Sequence, residues 1–130
     1  MIGIVIVAHG GLAREYLAAV EHVVGHQPGL VAIAIEADHD RAEKQQEILA
    51  AANAVDTGDG VVVVTDLFGG SPSNLSLRAC APADRRILYG ANLPMLIKLA
   101  KSRHLPVGDA VRAAIEAGRK YINTQNVTLD

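Results

Sequence analysis

Cysteine is nearly missing from this sequence: Cys80 is the only one in 130 residues. A single thiol excludes a disulfide within the chain and any zinc site built on several cysteines. Aromatic residues are almost as scarce, at 3%, with one Phe, three Tyr and no Trp. That removes the stacking platforms by which single-stranded RNA is read. The formal net charge is −2, and no basic stripe marks a nucleic-acid footprint. No run approaches the roughly 20 apolar residues of a membrane span. The first residues also lack the basic segment of a secretory signal, and their apolar run is too short for one. The expectation is a cytoplasmic protein whose residues 1–130 form a single domain.

What is present is aliphatic. Hydrophobic residues make up 50% and charged residues 20%, so the core must be Val, Ile, Leu and Ala. A chain of this size buries roughly two-thirds of its unfolded surface, enough for a core without disulfides or metals. Four short apolar runs stand out: Ile2–Ala8, Leu30–Ile35, Gly60–Thr65 and Arg86–Tyr89. The first and third are β-branched and uninterrupted, which implies strands buried on both faces of a parallel sheet.

Between the runs lie helical patterns. Leu12, Tyr16, Ala19, Val20 and Val23 share one face, and Gly25 falls near the expected stop. Ala42, Gln45, Leu49 and Ala52 suggest a weaker amphipathic helix. Further helices follow Ser71–Asn74 and Asn92, and a last one spans Val107 to Ile122. Alternating strands and helices imply an α/β fold, a doubly wound and mainly parallel sheet with helices on both faces. The tail holds Val127–Leu129, either a short antiparallel edge strand, a strand donated to a partner, or a frayed terminus.

In open α/β sheets, ligands bind beyond the carboxyl ends of the strands where the strand order reverses. If the order is 2-1-3-4, strands one and three are neighbours about 4.8 Å apart. His9 is the first polar residue after the first strand, and Asp66 is the first charged residue after the third. They should then meet. A carboxylate that accepts the Nδ1 proton fixes the tautomer and leaves Nε2 with a free lone pair. Such a histidine is a nucleophile, a general base or a metal ligand; the bland alternative is a strand-end residue that caps a loop.

Asp66 opens the stretch DLFGGSPSN. Gly69 and Gly70 allow backbone conformations that other residues resist. Ser71 before Pro72 reads as a helix N-cap with proline at the first helical position. A helix start presents free N–H groups to anions, phosphate above all. The Ser71 hydroxyl either adds a donor or is spent on the cap. The loop Gly90–Leu96, with Asn92 as an N-cap, walls the same cleft or simply starts a helix. His22, His26, His39 and His104 read as surface histidines, and Cys80 as a small core residue.

The stretches VIVAHGGLA, VVVVTDLFGGSPSN and YGANLPML, in this order and spacing, resemble the IIA component of the mannose-family bacterial phosphotransferase system. The resemblance runs from about Ile2 to about Ile122. A related phosphotransfer domain occurs in the dihydroxyacetone kinase system. The resemblance implies a phosphocarrier that takes a phosphoryl group from a histidine of HPr and passes it to a IIB domain. It implies that His9 carries the group, Asp66 orients that histidine, and Gly69, Gly70 and Ser71 bind the phosphoryl oxygens. It implies no metal and no other cofactor, because the donor is already an activated phosphohistidine. It also implies an antiparallel edge strand and a homodimer, with membrane contact only through a permease complex.

Sugar-transporting relatives often continue into a IIB domain. The sequence stops at Asp130, so the expectation is no fused IIB domain, with the acceptor a separate IIB component or a regulatory partner. Phe68 and Gly11 stand where other residues occur in the family, and they would alter the partner surface rather than the chemistry. Three other readings remain. A tetrapyrrole metal chelatase also starts with an apolar strand ending in His-Gly, but it needs a second histidine and leaves GGSPSN unexplained. A hydrolase using Ser71 lacks the closing glycine of a nucleophile elbow. A regulatory module would keep the phosphohistidine and use its state to bias a partner.

Overall fold

The run that opens the chain is buried from end to end. In a computed structural model that describes residues 1–130, every side chain from Ile4 to Ala8 is fully shielded from solvent. This segment is strand β1 (Gly3–His9), so His9 closes the strand instead of following it. Strands β2 (Leu30–Ile35), β3 (Val61–Thr65) and β4 (Arg85–Leu88) run parallel to it. The order is β2-β1-β3-β4, as expected, and β1 and β3 are neighbours. β4 sits one residue earlier than the Arg86–Tyr89 run, because Arg85 is itself drawn into the sheet and buried.

Helices cover both faces. On one side α1 (Leu12–Val24), α4 (Leu93–Lys101) and α5 (Val107–Lys120) meet Ile4, Ile6, Ala8, Val62 and Val64. On the other side α2 (Arg41–Val55) and the short α3 (Gly70–Ser76) meet Val5, Val7, Val61 and Val63. Successive strand residues thus feed opposite cores, as the two-residue period of a strand requires. Helix α2 looks polar in sequence, yet it buries Ile48, Ala52 and Val55. Those three lie four and three apart, a narrow seam in a helix whose first half carries Arg41, Glu43, Lys44 and Glu47. Asp40 caps it by accepting the Glu43 N–H at 2.9 Å. No helix is long and apolar enough to cross a membrane.

When both faces of a strand are apolar, alternation cannot specify register. Fit at the strand ends does so here. A Cβ built on Gly3 would lie 2.4 Å from the Val55 carbonyl oxygen, so only glycine fits beside the end of α2. Sliding β1 by one residue would drive Ile2 or Ile4 into that space.

Two buried arginines tie the same, amino edge of the sheet. Arg103 donates from Nε to the Ile2 carbonyl at 2.7 Å, while the Ile2 N–H returns to the Arg103 carbonyl at 3.0 Å. Arg85 forms an ion pair with Asp56 at 3.0 Å and donates to the Ala79 carbonyl at 3.0 Å, joining β4 to the end of α2.

The tail departs from expectation. Helix α5 ends at Lys120, so Ile122 lies beyond it and is exposed. Residues 122–130 form no strand, and Val127 and Leu129 are exposed. Within one chain the edge-strand reading of Val127–Leu129 is not met. Two apolar side chains offer too little burial to offset the entropy of ordering the tail.

Gly3→Ala should lower stability by about 1–3 kcal/mol through overpacking, read as a lower urea midpoint. An unchanged midpoint would show that α2 can move aside. Asp56 supplies a pH-dependent contrast. Its carboxyl is held below the ordinary 3.8, first by the Gly58 N–H and then by Arg85. A depressed folded pKa adds stability above the unfolded value that disappears as pH falls through the folded one. Asp56→Asn should therefore be less stable than the natural chain at neutral pH, with the gap closing below about pH 4. Equal gaps at pH 7 and at acid pH would remove the linkage.

Candidate functional site

His9 emerges at the carboxyl edge of the sheet because β1 ends there. Gly10 follows with a φ of +57°, a left-handed turn that favours glycine, and its N–H pairs with the Ile35 carbonyl at 2.9 Å. The chain thereby breaks sharply out of the strand and starts α1 at Leu12. The imidazole is left about half exposed, at 48%.

Asp66 leaves β3 beside it. Its Oδ2 accepts both N–H groups that His9 can direct inward: the ring Nδ1 at 2.8 Å and the backbone N–H at 3.2 Å. An ionised carboxylate only accepts, so the short contact places the proton on Nδ1 and leaves the Nε2 lone pair free. The Asp66 side chain is only 10% exposed, and its Oδ1 is buried without a hydrogen-bond partner.

The loop after Asp66 is held by hydroxyls that sequence reasoning missed. The Leu67 carbonyl accepts from Thr65 Oγ1 at 3.1 Å and from buried Ser73 Oγ at 2.7 Å. Gly69 and Gly70 then turn the chain with φ of +81° and +78°. A Cβ built on Gly70 would stand 3.9 Å from His9 Cε1, so the start of α3 lies against the ring. Ser71 is not the N-cap it was expected to be. Gly69 holds that position, Gly70 begins the helix, and no side chain caps it. The reason is local: two consecutive glycines make the turn themselves, so the helix opens before the serine. The Ser71 hydroxyl is accordingly not spent on a cap.

Helix α1 likewise opens on Gly11 without a side-chain cap, whereas α2 and α4 are capped by Asp40 and Asn92. The two helices that begin around His9 thus keep free N–H groups at their starts. The Asn92 loop starts a helix, with Asn92 Oδ1 accepting the Met95 N–H at 3.0 Å. It is tied to the site side by Tyr16, whose hydroxyl donates to the Ala91 carbonyl at 3.1 Å. Phe68 is 84% exposed and meets Tyr89 edge-on, with ring centroids 4.9 Å apart. Leu12 is also exposed. These side chains form an apolar lip beside the imidazole loops.

The remaining histidines stay apart. His22, His26 and His104 are exposed, His26 pairs with Glu21 at 2.9 Å, and His39 Nδ1 donates to the Glu36 carbonyl at 2.8 Å. No group of three His, Cys, Asp or Glu side chains stands together as a metal site would require. Cys80 packs at the edge of the α2 core, and burial pushes its thiol up to about 11, which leaves it unreactive as a nucleophile.

The parallel α/β sheet thus presents one carboxylate-oriented histidine at its switch point. A family model described as the PTS system fructose IIA component, EIIA-man, matches residues 3–116. The mannose-specific EIIAB component of the phosphotransferase system of Escherichia coli strain K12 is 30% identical over 128 residues. That match covers 93% of this chain and 38% of the relative, so this chain spans well under half its length. Phosphotransferase system component EIIA from Streptococcus agalactiae superposes with a TM-score of 0.85 at 30% identity, covering 95% of this chain and 97% of that one. The mannose/sorbose-specific IIA subunit from Enterococcus faecalis gives 0.85 at 24% identity over 98% and 97%, a likeness of fold. The chain belongs to the EIIA-man family of IIA components of the phosphotransferase system.

If Asp66 sets the tautomer, long-range proton–nitrogen NMR of His9 should show Nδ1 protonated and Nε2 unprotonated in the neutral ring. Asp66→Asn should abolish that preference while leaving the folded spectrum intact. A neutral ring protonated on Nε2 in the natural chain would contradict the geometry.

Proposed function

We propose that the protein is a phosphohistidine carrier, a protein-histidine phosphotransferase component in which His9 Nε2 takes a phosphoryl group from an HPr-type protein. The observation that carries this reading is the double acceptance at Asp66 Oδ2, which clamps His9 by ring and backbone together. A clamped imidazole with an outward lone pair is prepaid in orientation, and orientation is most of what an in-line phosphoryl transfer asks of a protein.

The step balances simply. The Nε2 lone pair forms a bond to phosphorus as the phosphorus–nitrogen bond of the donor histidine breaks. The donor ring keeps that electron pair. The His9 ring now carries positive charge, with Nδ1–H held by Asp66. The Asp66 carboxylate, with its unpartnered Oδ1, stabilises this ring in a low-dielectric setting. Backbone N–H groups at Gly70 and Ser71, and the Ser71 hydroxyl, face the incoming oxygens; Gly69 supplies the turn that brings them there. Uncapped starts of α1 and α3 leave donors for the phosphoryl oxygens.

The carrier then serves a IIB-type acceptor or a regulatory partner, as a cytoplasmic single domain and a homodimer. The apolar lip of Leu12, Phe68 and Tyr89 suits docking of a partner that must bring its own histidine within bonding range. A chelatase would need a second ligand facing Nε2, and His104 follows α4 near the amino edge, beside Arg103 and Pro106.

Incubation with phosphoenolpyruvate, enzyme I and HPr should place one acid-labile phosphate on each chain. His9→Ala should abolish the label and His104→Ala should retain it. Asp66→Asn should slow transfer roughly a hundredfold without loss of folding. A label that survives His9→Ala would overturn the assignment.

A further inference from the structure

The charges of this chain are segregated. Between Leu93 and Lys120 stand six cations, Lys98, Lys101, Arg103, Arg112, Arg119 and Lys120, against only Asp109 and Glu116, a balance of +4. The whole chain stands at −2, so the remaining residues carry −6. Arg103 is buried at the amino edge of the sheet, and Arg112 is paired with Asp109. Lys98, Lys101 and Lys120 are exposed and take part in no ion pair.

These three lysines rim one groove of about 690 Å³ between α4 and α5. Its floor is apolar, from Ile97, Ala113 and Ala117, and Glu116 is the only acid on its wall. The end of α5 lies beside the start of α4: Asn92 Nδ2 donates to the Gly118 carbonyl at 3.2 Å, and a Cβ on Gly118 would stand 3.0 Å from Met95 Cβ. The helices therefore run in opposite directions. Lys120 marks one end of the groove and Lys101 the other, separated by about the 13 Å length of α4. A basic last turn offsets the dipole of each helix. That accounts for each lysine separately, but not for three unpaired lysines around one apolar trough on an otherwise acidic protein.

We propose that the groove between α4 and α5 docks an acidic amphipathic segment of a second protein. Its carboxylates meet Lys98, Lys101 and Lys120, and its apolar side chains lie on Ile97, Ala113 and Ala117. Charge complementarity selects this occupant: the positive trough attracts acidic chain, and the −6 remainder repels it from everywhere else. The trough is concave with an alanine floor, which fits a chain segment; a bilayer surface calls for a convex face with large apolar side chains. The groove is built from the outer sides of α4 and α5, whereas His9 opens between β1 and β3. None of the groove's lining residues belongs to the His9–Asp66 contact, and this inference does not rest on the role proposed for His9.

The test uses the full chain, labelled with nitrogen-15, and a synthetic peptide of about 15 residues with glutamates and leucines at helical spacing. Amide shifts should concentrate in residues 94–101 and 113–121. The K98E/K101E double variant, at two exposed positions, should keep its fold and bind roughly tenfold more weakly. Raising salt from about 0.1 M to about 0.5 M should weaken binding in the natural chain. The control R14E/R41E should bind as the natural chain does. The proposal is overturned if a glutamine version of the peptide binds equally, if K98E/K101E binds unchanged, or if shifts scatter over the surface. Tighter, Lys98-dependent binding to phosphatidylserine vesicles than to the peptide would assign the groove to membranes instead, and would also overturn it.

Discussion

One carboxylate oxygen joins the two halves of this fold at their most consequential point. Asp66 Oδ2 receives both the ring and the backbone of His9 across the boundary between β1 and β3. The contact exists because those strands are neighbours, and they are neighbours because the sheet is wound outward in both directions from β1. An order in which β1 and β3 were not neighbours would separate the two residues and leave an ordinary surface histidine. Its Oδ1 is buried without a hydrogen-bond partner, and a buried, half-satisfied polar group costs free energy.

The rest of the scaffold keeps that contact in place. Strand β1 is shielded on both faces, so neither core can shift without disturbing the other. Its register is pinned at the amino end by the absence of space at Gly3. Arg103 and Arg85 reinforce the same end through buried hydrogen bonds. The carboxyl end is left irregular: left-handed glycines, a half-exposed ring and exposed apolar side chains. One edge of the sheet is locked and the opposite edge is exposed. The basic trough between α4 and α5 adds a third kind of surface, set apart from the acidic remainder of the chain.

Much of this was legible in the residues. Uninterrupted β-branched runs could only be buried strands, and their alternation with helical faces implied a parallel sheet. Asp66 and His9 each followed such a run, so one assumption about strand order sufficed to bring them together. Local details were harder. Ser71 before Pro72 looks like a cap, but the two glycines ahead of it complete the turn first. Val127 and Leu129 alternate like a strand, yet a strand needs a neighbour to pair with. Thr65 and Ser73 gave no signal, because a hydroxyl's value depends on which carbonyl lies within reach.

The sequence alone determined which segments are buried and where polar residues interrupt them. These follow from side-chain chemistry and periodicity, which are local. Only the tertiary structure decided that Oδ2 takes both N–H groups of His9 while Oδ1 takes none. It alone set Gly70 against the imidazole and gathered lysines from two helices around one trough. Those facts depend on distances between residues far apart in the chain, and such distances exist only once the strands are paired and the helices packed.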